Sequence, residues 1–248
     1  MTKYACAALV AFAGSASAVT VTEDFDSFAS LANGQAVGNG ASPASFFFDL
    51  TVTKRNGSGL DGVIFDSTIS GPNDPSDDPD LLIDNGNVLT AQEGSDGTAA
   101  PGDIFSDPDD NVGFILILDF IVPVAVESLL LVDINGGTFT EITLTDENGL
   151  QRQYDIPAEF TGEVPDDPGE FLMSLVTTAP QASPHTSGPI VVDFEDLGFD
   201  QTAVVSLEFD TRGSAAIDDI TLTGDQIPTP GTMALLGLGA FAGLRRRR

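Results

Sequence analysis

The stretch Gly113-Phe-Ile-Leu-Ile-Leu-Asp-Phe-Ile-Val122 decides the fold class. A near-continuous apolar run of this kind predicts a central strand, buried on both faces. Outward from it, no long helical periodicity interrupts residues 19–227, and Gly, Pro, Asn, Asp and Ser punctuate the chain about every eight to twelve residues, the rhythm of sandwiches and barrels. The predicted strands are 46–54, 62–66, 87–93, 113–122, 126–134, 138–145, 150–156, 189–194, 203–210 and 214–223. In 203–210, Val205, Leu207 and Phe209 alternate with Ser206, Glu208 and Asp210, so this strand should keep one wet face. Glu147-Asn148-Gly149 marks a hairpin turn between two alternating runs. Residues 67–86, 94–112 and 161–188 read as long Gly-, Pro- and Asp-rich loops. No internal repeat is evident. The expectation is one all-β domain over residues 19–227, an antiparallel β-sandwich. Fifteen phenylalanines in that span supply ample core at this size.

Charge narrows the partners. The chain has 248 residues with 38 acids and 9 bases. All 38 acids fall within 19–227, against Lys54, Arg55, Arg152 and Arg212, giving that body a formal charge of −34. Nucleic acid and anionic membrane surfaces are disfavoured, because each such contact needs basic residues to displace counterions. The only cysteine, Cys6, lies near the N-terminus, so no disulfide framework supports the body.

Both ends read as addresses. Residues 1–18, MTKYACAALVAFAGSASA, offer Lys3, a short apolar run from Ala5 to Ala13, and Ala16-Ser17-Ala18 at the small-residue cleavage position. That is the pattern of a signal peptide, too short to span a bilayer. At the other end stand Pro228-Thr229-Pro230, thirteen apolar or small residues from Thr232 to Leu244, and Arg245 to Arg248. Thirteen helical residues cover about 20 Å, short of a hydrocarbon core of about 30 Å, and the arginines favour the cytoplasmic side. Short helical segments are expected only in these two ends. Residues 228–248 resemble a PEP-CTERM sorting tail, with Thr229 where that motif carries Glu. The resemblance implies an exported protein whose tail is read by an exosortase-type processing enzyme. It would be placed at the cell surface or outside the cell, with only transient tethering to the inner membrane.

Three passages in the body carry a second resemblance. They are Gly62-Val-Ile-Phe-Asp66 with the acidic loop and Gly86-Asn-Val-Leu89 after it, Asp107-Pro-Asp-Asp-Asn111, and Gly213-Ser-Ala-Ala-Ile-Asp-Asp-Ile-Thr-Leu222. In this order they resemble a galactose-binding-like jelly roll, and Ile217-Asp-Asp-Ile220 resembles the last strand of MAM-type domains. The resemblance implies a jelly-roll fold and an extracellular setting. It does not name a ligand, because such folds serve many roles.

The Asp218-Asp219 pair raises a chemical question. Successive strand residues point to opposite faces, so one of the two should face inward. An inward carboxylate is costly unless paired, hydrogen-bonded or metal-bound, and bases are scarce here. Glu23-Asp24-Phe25-Asp26 opens the body, and first and last strands of jelly rolls are often neighbours. Glu23 or Asp24, Asp26, and Asp218 or Asp219 are therefore candidate oxygen ligands for a structural Ca²⁺, which takes about six to eight. The alternative is a bulge that turns both aspartates to solvent or lets them cap loop amides. Asp74, Asp77, Asp78, Asp80 and Asp84 form a second acidic stretch, without EF-hand order. Asp107, Asp109 and Asp110, and Asp133 before Asn135-Gly136-Gly137, read as solvated loops.

Catalytic patterns are weak. His185, the sole histidine, lies in PQASPHTSGP with no motif around it, where a triad needs a rigidly held imidazole. One histidine and no cysteine in the body give no zinc set. A glycosidase needs only two suitably spaced carboxylates, and nothing singles out a pair. The body has no Trp and only Tyr154 for stacking on sugars. The leading expectation is a non-catalytic secreted or surface protein, adhesive or associated with matrix or exopolysaccharide. A carbohydrate-binding module using loops 67–86 and 94–112 comes second, and a polysaccharide hydrolase third.

Overall fold

The computed structural model describes residues 18–26, 33–37, 47–54, 62–71, 81–91, 113–134, 140–156, 170–175, 191–193, 198–213 and 215–225. These residues form twelve strands and no α-helix: β1 (Val19–Glu23), β2 (Ala36–Val37), β3 (Phe48–Lys54), β4 (Gly62–Asp66), β5 (Asn87–Ala91), β6 (Phe114–Val132), β7 (Thr140–Asp146), β8 (Gln151–Ile156), β9 (Glu170–Ser174), β10 (Val191–Asp193), β11 (Val204–Thr211) and β12 (Ala216–Gly224). Every pairing is antiparallel, so the all-β expectation holds. The termini expected to be helical, residues 1–17 and 226–248, lie outside the described residues.

β6 organises the fold. Its first half pairs β3 on one side and β11 on the other, extending through β7 and β8 to β10. Its second half pairs β9 and β12, and β12 leads on to β5, β4 and β2. The sheet thus has two wings sharing one 19-residue strand. The sequence predicted two strands here, 113–122 and 126–134; they are one. Pro123, which donates no amide, sits where the β11 register jumps from Val204↔Val124 to Ser206↔Asp119. A proline is tolerated inside a strand at such an irregularity.

Burial on both faces also shifts along the strand. Phe114, Leu116, Leu118 and Phe120 are buried, but Ile115 and Ile117 are only half-buried and Ile121 is 59% exposed. The continuously buried stretch is instead Leu129 to Ile134. The first wing presents an outer face of Asp49, Thr51 and Asp119, with Glu208 beside them, and water takes that side. The second wing is covered on both sides. Leu129, Leu131, Ile217 and Leu222 enter a core shared with Leu118, Phe209 and Ile142 of the first wing. On the opposite face Leu130, Val132, Phe65 and Val88 pack with Leu81 and Ile83. The expected loop 67–86 therefore contributes core residues, each worth about 1.5–3 kcal/mol when fully buried.

Two further differences have local causes. Val204, not Val205, is buried ahead of Leu207 and Phe209, because the register shift between Val204 and Ser206 reverses the alternation there. The expected loop 161–188 contains β9, which pairs Leu129 with Met173. Met173 and Leu175 are buried, and the Tyr154 hydroxyl of β8 donates to the Leu175 carbonyl. That bond ties the first wing to the segment following an edge strand of the second.

Candidate functional site

β12 changes partner along its length. Ile217 pairs Leu89 of β5, whereas Ile220 to Gly224 pair β1, starting at Glu23. Asp218 and Asp219 fall between these partners. On the other side, the β6 ladder runs from Asp218↔Leu130 to Thr221↔Ser128, three residues against two. The extra residue is a bulge, and Asp219 takes it up at φ 47°. The bulge leaves Asp218 buried and Asp219 half-buried.

Two loops close over this point. After β1, Phe25 adopts φ 45° with its ring buried, and the Asp26 amide donates to the Asp24 carbonyl. Before β5, the turn Asp84-Asn85-Gly86 is held by Ser67. The Asp84 amide donates to the Ser67 carbonyl at 3.0 Å, the Asn85 amide to Ser67 Oγ at 3.1 Å, and the Ser67 amide to the Gly86 carbonyl at 2.6 Å. The loops meet where the Asn87 amide donates to Asp26 Oδ1 at 2.9 Å. Gly86, at φ +76°, makes room: a Cβ there would lie 2.2 Å from Asp26 Oδ2.

Asp218 lies against this junction with 1% of its surface exposed. Its Oδ2 accepts from Asn85 Nδ2 at 2.9 Å, whereas Oδ1 is buried with no hydrogen-bond partner. Burial pushes its pKa up to about 8; the Asp219 amide opposes this, and the charges of Asp219, Asp26 and Asp24 add to it. The three chain segments thus bring like charges together around a buried acid. Glu23 is buried too, on the β1 residue opposite Ile220. Among the described residues, no three acidic, histidine or cysteine side chains are spaced as they stand to hold a metal. The partners that sequence reasoning missed are Asn85, Asn87, Gly86 and Ser67. Their signal was the Asn-Gly turn dipeptide inside an acidic stretch that reads as mere surface charge.

A second buried aspartate shows the opposite solution. Asp146 Oδ1 accepts from the Asn148 and Leu150 amides, both at 2.9 Å, and Oδ2 from the Asp200 amide at 3.0 Å. These donors hold its pKa below the ordinary value, and the Thr202 hydroxyl and amide do the same for Asp200. On the outer face of the first wing the balance reverses. Burial, with repulsion from Asp155, Asp210 and Glu208, raises Glu141 despite the Thr143 hydroxyl, and burial with Asp210 raises Glu208.

The signs set a pH profile. Groups with depressed folded values, Asp146 and Asp200, stabilise the fold above the ordinary 3.8 and lose that stabilisation as pH falls through their folded values. Groups with raised folded values, Glu141 and Glu208, stabilise it below the ordinary 4.5 and lose this as pH rises through theirs. Thermal melts at low salt should therefore peak near the interval 3.8–4.5 and fall on both sides. A melting temperature that climbs steadily to neutral pH would contradict these assignments.

Asp74, Asp77, Asp78, Asp80, Asp107, Asp109, Asp110 and His185 lie outside the described residues. Asp84 is exposed within the Ser67-held turn, and Asp133 is buried at φ 49°.

Comparison with known proteins locates one family signature. Residues 226–248 match the PEP-CTERM protein-sorting motif. The match includes the proline pair, the apolar run and the terminal arginines. Such a tail belongs to exported, cell-envelope-associated proteins and is recognised by exosortase. A search of curated proteins found no significant match to the chain.

Proposed function

We propose that this chain is a non-catalytic protein displayed at the cell surface or in the surrounding matrix, and that its β body is a jelly-roll sandwich of the galactose-binding-like type. Its role is adhesion or association with exopolysaccharide. The observation that carries this reading is the sorting motif at 226–248 joined to an all-antiparallel body. The common core of the two wings and the Tyr154–Leu175 bond across them support the sandwich reading. The high negative charge suits contact with anionic polymers through divalent-cation bridges, and it keeps the protein soluble.

A second reading, a carbohydrate-binding module, draws on the outer face of the first wing. There Gln153 Nε2 donates to both Glu141 and Asp155, and Thr143 donates to Glu141 at 3.1 Å. Such a row of amide, hydroxyl and carboxylate groups suits polyol hydrogen bonding.

Expression in an exosortase-bearing host tests the first reading. Full-length protein should fractionate with the envelope and extracellular matrix, and a chain lacking 226–248 should lose that placement. Co-sedimentation of the full-length chain with exopolysaccharide should require divalent cation. Cation-independent binding to neutral glycans would favour the second reading, and release of sugar products would overturn both.

A further inference from the structure

We propose that Asp218 is the fixed anchor of a divalent-cation site of the hard, calcium-like class, completed by carboxylate and backbone oxygens of the Asp24–Asp26 and Asp84–Asn87 loops. Three observations point there together. Asp218 is almost wholly buried, and Oδ1 has no hydrogen-bond partner, while Asn85 holds Oδ2 in place. Buried polar atoms in folded proteins are nearly always satisfied, so an orphaned carboxylate oxygen calls for a missing partner. The charges bearing on Asp218 come from Asp219, Asp26 and Asp24, all of its own sign. The chain also buries an aspartate with protein donors alone: Asp146, likewise shielded from solvent, receives three amides.

The chemistry selects the ion. Every candidate donor is an oxygen, which suits calcium over zinc or other ions that prefer nitrogen and sulfur. As placed, the carboxylates do not form a closed ligand set. Asp26 is exposed and Asp24 and Asp219 are half-buried, so water still reaches these three carboxylates, and their charges repel that of Asp218. A divalent cation reverses the sign of the interaction and draws them in. The Asn85 amide keeps Oδ2 occupied, so Oδ1 is the atom left for the ion. The bulge at Asp219 and the Gly86 cradle around Asp26 leave the two loops close enough to take part.

The test is independent of any adhesive or sugar-binding role. Full-length protein is melted in chelator and then titrated with calcium, with magnesium and with sodium at matched ionic strength. At a calcium concentration about a hundredfold above Kd, the melting temperature should rise by about 5–10 °C. Asp218→Asn should still fold in chelator, because the amide fills the same space and carries no charge, but should show no calcium-specific rise. The double variant Asp24→Asn, Asp26→Asn alters only loop residues outside the core. It should weaken calcium by about tenfold or more, the scale on which loss of supporting groups costs a metal site. An equal rise with sodium, or an identical calcium response in Asp218→Asn, would overturn the proposal. So would no calcium response in the wild-type chain with Asp218→Asn melting higher than wild type, since Asp218 would then be a buried acid neutralised by a proton alone.

Discussion

Gly113→Ala should lower the melting temperature by about 10 °C, a loss of about 2–6 kcal/mol. Gly113 stands immediately before β6, at φ +76°, and is buried against the end of β11. A Cβ there would lie 2.1 Å from the Thr211 carbonyl oxygen and 2.4 Å from the Arg212 Cα. Both obstacles are backbone, so no side chain can swing away. Relief requires β6 and β11 to part at their first rungs, beside Ile115↔Asp210. Gly149→Ala provides the control. Gly149 has φ +81° and nothing within 4 Å of its would-be Cβ, so that variant reports backbone strain alone, about 1 kcal/mol. The difference between the two melts isolates the clash. If Gly113→Ala and Gly149→Ala lose the same stability, the close approach of β6 to β11 is not as described.

Strand class and most strand positions were legible in the sequence because burial and alternation are local signals. VTVTE of β1 alternates as plainly as the strands that were predicted, yet it follows directly on the leader run. β9 was hidden because the apolar FLMSL lies among prolines that mark a loop. The single long β6 was hidden for another reason. Pro123 reads as a break, and only the register jump opposite Val204 makes it compatible with one strand. The acidic junction was half legible. Asp24, Asp26, Asp218 and Asp219 stand out as charges at the two ends of the body. Which oxygen is left without a partner depends on Asn85, 133 residues away in the chain from Asp218, and on a bulge whose backbone no composition rule foretells. The sorting tail was legible because its meaning lies in the linear order of residues, which needs no fold to be read.

Phe209→Ala should cost about 3–5 kcal/mol and lower the melting temperature by about 10 °C or more. Phe209 is fully buried on β11, opposite Leu116 of β6 and Ile142 of β7, with its ring centroid 6.1 Å from that of Phe114. Removing the ring leaves a void among strands too constrained by their ladders to close it. Phe114→Ala should be comparably severe, and the double variant should show a coupling of about 0.5–1.5 kcal/mol, as expected for a tilted aromatic pair. Ile121→Ala, at an exposed position on the same long strand, should stay within about 0.5 kcal/mol of wild type. The more informative readout is where the loss is felt. Leu118 and Phe209 of the first wing share one core with Leu131 and Ile217 of the second, so Phe209→Ala should lower amide protection at Leu131 as much as at Leu118. Separate unfolding of the wings, with Leu131 still protected after Leu118 has exchanged, would mean that β6 joins two independent sheets. Their common core would then contribute little to cooperativity.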